Sequence, residues 1–132
     1  VYDIEADGRQ VNLRFLAPPN VAVSMTSLIQ RSAAQEWLEA VTPLEGYRVS
    51  REDLERSEHY ERLMRVLVEQ HYLSMERRVR MLQIPFARGR YAFFAAHLDP
   101  AIVAGMPDYH VASYLGVTPE TLSRARRKLR AT

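Results

Sequence analysis

The chain has no cysteine among its 132 residues. That excludes disulfides, iron–sulfur clusters and thiolate zinc sites, and the four histidines (His59, His71, His97 and His110) form no tight cluster. His59 and His71, more than three turns apart on one helical stretch, cannot share an ion within a subunit, so no metal is expected. Long apolar runs are missing too. Those such as 66–68 and 91–96 fall far short of the roughly 20 residues that span a bilayer, and no secretory signal opens the chain. No membrane partner is therefore expected, and a cytoplasmic location fits. Glycine is scarce, at 5 residues, and builds no phosphate-cradling loop. With no Ser/His/Asp or Cys/His constellation that spacing would assemble, the chain is not expected to be an enzyme.

An apolar fraction of 47% is enough for one modest core or two small ones. The net charge of +2 conceals an asymmetry: residues 1–60 hold 6 Arg against 10 Asp and Glu, whereas residues 61–132 hold 12 Lys and Arg against 6. The basic half is the one expected to meet a polyanion, above all the cluster Arg124, Arg126, Arg127, Lys128 and Arg130.

Alternating apolar residues over 2–16 predict a β-hairpin with Asp7-Gly8 as a two-residue turn. Short apolar pieces at 21–25, 35–41 and 46–49, separated by turn residues, make the first 50 residues mostly β by this reading. Ser50 with Asp53 then resembles a helix N-cap opening a short helix over 51–56. From about Ser57 the period becomes helical for some 26 residues, with Tyr60, Leu63, Met64, Leu67, His71, Met75, Val79 and Leu82 at three- and four-residue steps. A helix near 40 Å long, at about 1.5 Å per residue, exceeds what so small a core needs, so this seam is a candidate dimer interface. Packing inside one subunit is its alternative use. Pro85 ends that helix, 86–97 form another, and Pro100 and Pro107 punctuate a remainder expected to make three short helices from residue 86 onward.

Residues 108–128 carry the most specific pattern. Two short helices crossing at a sharp angle need a small residue at the crossing, a residue able to take positive φ at the turn, and a shared apolar face. Ala112 and Gly116 supply the first two; Val111, Leu115, Val117, Leu122 and Ala125 supply the third. Thr118 as N-cap and Pro119 at the first helical position open the second helix. Such a pair predicts a helix-turn-helix with the start of its second helix in the DNA major groove. Glu120, Thr121 and Arg124 are then candidate base contacts, Arg124 through guanine O6/N7 and Glu120 through cytosine N4. Tyr109, His110, Thr118, Ser123, Arg126, Arg127, Lys128 and Arg130 are candidate phosphate contacts. Glu120 serves equally as a favourable charge at a helix N-terminus.

The run Ala112-Ser113-Tyr114-Leu115-Gly116-Val117-Thr118-Pro119-Glu120-Thr121-Leu122-Ser123-Arg124 resembles the Crp/Fnr family of bacterial transcriptional regulators. The resemblance implies an α+β fold: a partial β-roll sensor domain of the cyclic-nucleotide-binding kind (1–56), a dimerisation helix (57–84) and a C-terminal winged helix-turn-helix (85–132). It implies a homodimer on double-stranded DNA at a pseudo-palindromic site, with Glu120 and Arg124 in the base-reading positions and RNA polymerase as a candidate further partner. Three departures qualify it. Pro119 stands where the family often has Arg, and little chain follows for a wing. Of the phosphate-binding cassette only Arg31-Ser32-Ala33 remains, without the Gly-Glu pair, so Arg31 and Ser32 are the candidate ligand residues and no cyclic nucleotide or other cofactor is expected. The short N-terminal portion implies strands preceding Val1. A small-molecule sensor whose helical end binds a protein is the alternative function.

Overall fold

Alternation over the first residues produces the hairpin: β1 (Tyr2–Ile4) pairs antiparallel with β2 (Gln10–Asn12), in register Tyr2↔Asn12, Asp3↔Val11 and Ile4↔Gln10. These elements belong to a computed structural model that describes residues 1–131. The connection is longer than the expected Asp7-Gly8 turn. The Glu5 N–H donates to Arg9 O and the Gly8 N–H to Glu5 O, with Gly8 at φ 82°. This is a three-residue loop closed by a left-handed residue, a position glycine takes without a Cβ penalty.

The remaining β content expected of the first 50 residues is absent. Among the described residues the only other strand-like pairing is the bridge Tyr2↔Trp37, and residues 38–49 form neither helix nor strand and lie exposed. Their apolar side chains are interrupted by Pro43 and Gly46 and meet no third strand, without which a sheet gains little. Residues 21–25, read as strand-like, instead lead into helix α1 (Met25–Gln30), capped by Ser24. Helix α2 (Arg51–Arg56) begins where expected, the Ser50 hydroxyl accepting from the Asp53 N–H at 3.1 Å. Six-residue helices are not stable alone, so both depend on what they pack against.

That support is α3 (Tyr60–Gln83), whose 24 residues extend about 36 Å at about 1.5 Å per residue. Met25 and Leu28 of α1 close on Leu67, joined by Leu54, Leu63 and Met64, in a small core cluster. Three residues of the expected dimer seam therefore pack within the chain. Leu82, at the other end, packs on the larger core, and His71 bonds to Arg14. The apolar side chains that α3 leaves exposed are Val66, Val68, Tyr72, Leu73 and Val79, the last of which is the one exposed member of the expected seam.

Four helices follow rather than three: α4 (Ala87–His97), α5 (Pro100–Gly105), α6 (Asp108–Leu115) and α7 (Pro119–Arg130). The prolines that punctuate this region start helices. Pro100 and Pro119 sit in first turns, where the missing N–H has no intrahelical partner anyway, and Asp99 caps α5 by accepting from the Ala101 N–H at 2.8 Å. Phe94, Leu115, Leu122, Val111 and Met81 are the largest fully buried side chains, and together they join α3, α4, α6 and α7. Seven helices and one two-stranded sheet among the described residues make an α+β protein in which helix dominates.

Candidate nucleic-acid interface

The α6–α7 junction follows from its local chemistry. Gly116 takes φ 65°, and the bonds Val117 N–H to Ala112 O and Gly116 N–H to Ser113 O close α6 with a left-handed residue that satisfies two terminal carbonyls. Thr118 then caps α7, its hydroxyl accepting from the Thr121 N–H at 3.2 Å, with Pro119 next. Val111, Ala112, Leu115, Leu122 and Ala125 are buried, and Val117 is half-buried against them. The turn and the apolar face thus take the forms the sequence implied.

Burying Leu122 and Ala125 fixes the rotation of α7. With about 100° per residue, the opposite arc carries Glu120, Ser123, Arg124, Arg127, Lys128 and Arg130, all exposed. Thr121 lies at the edge of that arc, half-buried. Its hydroxyl accepts from Thr118 Oγ1 at 3.1 Å and from Arg124 Nη2 at 3.3 Å. The Glu120 carboxyl is held below its usual range, first by a bond to its own backbone N–H and then by the Thr118 hydroxyl. It therefore carries a negative charge at the positive end of α7.

Two residues expected to meet phosphates face elsewhere. His110 is 4% exposed, its Nδ1 3.2 Å from Asn12 Nδ2 and its ring against Tyr109, so its side chain is not presented to a polyanion. It follows Asp108 and Tyr109 in the first turn of α6 but points back toward the hairpin. Arg126 bonds Asp108 and lies 5.1 Å from the Tyr91 ring centroid. Burial opposes its charge, but Asp108 and Tyr91 outweigh burial and raise its pKa. It joins α4, α6 and α7 rather than standing clear. Tyr109, in contrast, is exposed.

No protein-family model, curated protein or solved structure matches the chain. The candidate site therefore rests on its own geometry. Of the two candidate ligand residues, Arg31 turns away to Glu55 at 3.0 Å. Ser32 borders a polar hollow of about 150 Å³ with Asp3, Ser24, Gln35 and Glu36. Its carboxylates and the absence of a lining arginine make it unsuited to a phosphate. Among the described residues no group of three or more His, Asp or Glu is arranged to hold a metal ion, and no helix is long and apolar enough to cross a membrane.

Sequence reasoning missed Arg14, Arg78 and Arg90, which organise this region from inside. Arg90 Nη1 donates to Leu115 O at 3.0 Å and its Nε to Ile84 O at 2.7 Å, tying the end of α6 to the end of α3. Arg78 Nη1 donates to Leu13 O at 3.1 Å and to Asn12 O, with its guanidinium 5.0 Å over the Tyr114 ring centroid. Spacing on α3 placed Arg78 on the same side as Leu67 and His71, and that was the available signal.

Proposed function

We propose that the chain is a sequence-specific transcriptional regulator of the Crp/Fnr type, binding double-stranded DNA through a helix-turn-helix formed by α6 and α7. The observation that carries this reading is the rotation of α7, which buries Leu122 and Ala125 and turns Glu120, Ser123, Arg124, Arg127, Lys128 and Arg130 outward together. In this reading Glu120 and Arg124 meet base edges, and Arg127, Lys128 and Arg130, with Tyr109, Thr118 and Ser123, meet phosphates. Arg126 and His110 position the helices instead.

The regulator acts as a cytoplasmic homodimer on a pseudo-palindromic site, two recognition helices about 34 Å apart entering successive major grooves. The second copy lies against the flank of α3 where Val68, Tyr72 and Val79 are exposed at four- and seven-residue spacing, since Leu63, Met64 and Leu67 are engaged within the chain. Arg31 paired to Glu55 supports an effector site that does not serve a cyclic nucleotide. The alternative, a sensor for a small polar molecule with a protein partner on its helices, draws on the hollow beside Ser32.

Electrophoretic shift with a random duplex and a selected pool, at two salt concentrations, tests the proposal. Binding that falls steeply with salt and enriches a two-fold symmetric site is expected. Binding of neither pool by an intact dimer at low salt overturns it in favour of a protein partner.

A further inference from the structure

The buried polar side chains of the hairpin end on histidines. Asn12, the last residue of β2, and Arg14, two residues beyond it, are both buried. Asn12 Nδ2 is 3.2 Å from His110 Nδ1 on α6, and Arg14 Nη1 is 3.1 Å from His71 Nδ1 on α3. Guanidinium offers only donors, so His71 Nδ1 is the acceptor, and its ring is neutral with the proton on Nε2. His110 accepts from the Asn12 amide in the same way. The end of β2 and the segment just after it are thereby fastened to two helices by two neutral rings.

Around His71 the charged groups are Arg14 and Glu36, the latter 3.5 Å from Arg14 Nη2; around His110 they are Glu39 and the Val1 ammonium. Burial, then Arg14, holds the pKa of His71 below the ordinary value, against the opposing pull of Glu36. Burial does the same at His110, against Glu39 and with the Val1 ammonium. The non-titrating ties of β2 are Ser113 Oγ, which accepts from the Asn12 N–H at 2.9 Å and donates to Gln10 O at 3.0 Å, and Arg78 on Asn12 O and Leu13 O.

We propose that His71 and His110 form an acid-sensitive latch, in which protonation at Nδ1 removes both acceptors and loosens the hairpin on α3 and α6, leaving Ser113 and Arg78 as its ties, while the α4–α6–α7 core stays folded. At His71 the added proton also sets a second cation against the buried Arg14 guanidinium. The core persists because the one ionisable side chain in its buried cluster, Tyr114, stays neutral as pH falls, burial raising its pKa further. The sign follows from the depressed values. Both rings bind protons more readily when released, so the latch is whole above about pH 6.5, weakens as pH falls below it, and is lost once pH passes below the folded pKa of each ring. The latch does not depend on what α7 binds.

The test is NMR of the unaltered chain from pH 7.5 to 5, following the imidazole resonances together with hydrogen-exchange protection factors. Expected are titrations of His71 and His110 below pH 6.5 and a parallel loss of at least tenfold in protection of amides in 2–4 and 10–14, with α6 and α7 amides unchanged. The His71→Gln/His110→Gln variant retains side-chain acceptors and should hold hairpin protection constant across the range. Hairpin and core amides failing together, a hairpin unchanged while both rings are protonated, or rings that titrate only on global unfolding would each overturn the latch. The unaltered chain decides among these even where the variant does not fold.

Discussion

Gly116 and Gly89 offer a paired test of why this chain places glycine where it does. At Gly116 an added Cβ would stand 3.5 Å from Arg90 Nη1 and 3.7 Å from Leu82 Cδ2, ordinary contact, so bulk adds no penalty. The cost is in the backbone: φ is 65°, and an L-residue held there loses about 1–2 kcal/mol. Alanine recovers roughly 0.4–1 kcal/mol by restricting the unfolded chain. Gly116→Ala should therefore lose about 1 kcal/mol net, a fall of roughly 3–5 °C in Tm for a chain of this size. Gly116→Asn should lose less, because asparagine tolerates the left-handed region. At Gly89 the backbone is unremarkable, but a Cβ would lie 2.7 Å from Ile84 Cγ2, so the methyl or the start of α4 must move. Gly89→Ala should lose about 1–3 kcal/mol through overpacking, and Gly89→Asn should be worse. Urea denaturation of the four variants is the assay, read as midpoints at unchanged slope. If Gly116→Asn is as damaging as Gly116→Ala, positive φ is not what the turn requires and the reasoning fails.

Arg124→Ala is expected to weaken DNA binding by about 1–3 kcal/mol at one base-pair position and to relax specificity there; equal loss on every sequence in a selection experiment would leave Arg124 a phosphate contact. Arg127→Ala should lower affinity uniformly and reduce the slope of log affinity against log salt by about 1, whereas Arg126→Ala should leave that slope unchanged and lower Tm, because Arg126 is engaged with Asp108 and Tyr91. Leu122→Ala, at a fully buried position shared by α4, α6 and α7, should destabilise the fold by roughly 2–5 kcal/mol in the same urea assay, and a loss under 1 kcal/mol would contradict the packing described.

The C-terminal third was legible because its signals are local. Thr118-Pro119, Gly116 and the apolar frame each act within a turn or two, and a cap or a left-handed turn is decided by the residue that occupies it. Pro100 was misread for the same local reason: a proline reads as a break, and only the preceding Asp99 marks it as a first-turn residue. The N-terminal third was illegible beyond its hairpin because nothing local decides it. Met25 and Leu28 make a helix of α1 only by meeting Leu67 some forty residues later, and the apolar pieces at 35–41 and 46–49 meet no partner beyond the Tyr2↔Trp37 bridge. On α3 the expected seam is a periodic stripe whose Leu63, Met64, Leu67 and Leu82 pack within the chain, and periodicity does not distinguish a helix face covered by its own chain from one covered by another. His110 was assigned by its place at the start of α6; its burial depends on Asn12, 98 residues away.

Counting charge along the chain overstated what a polyanion meets. The basic half owes part of its excess to Arg78, Arg90 and Arg126, and each of these is engaged inside the fold. Their partners explain the choice of arginine. Short helices end often, and every end leaves carbonyl oxygens without intrahelical donors. The guanidinium of Arg90 reaches Leu115 O and Ile84 O at once, and that of Arg78 reaches two successive carbonyls of β2 and the loop after it. Arg14 reaches one carbonyl, Val23 O, at 2.9 Å and the ring of His71 with its other arm. Lysine, a compact point charge, lacks the planar fork that spans two acceptors on different segments. Burial still opposes these charges, most plainly at Arg14 and Arg78, whose pKa values it lowers. What offsets it is the satisfaction of backbone oxygens that would otherwise be stranded in a thin core. Of the exposed cations, those of α7 lie together on one helix face, and that concentration, rather than the total for the half-chain, is what the proposed nucleic-acid reading rests on.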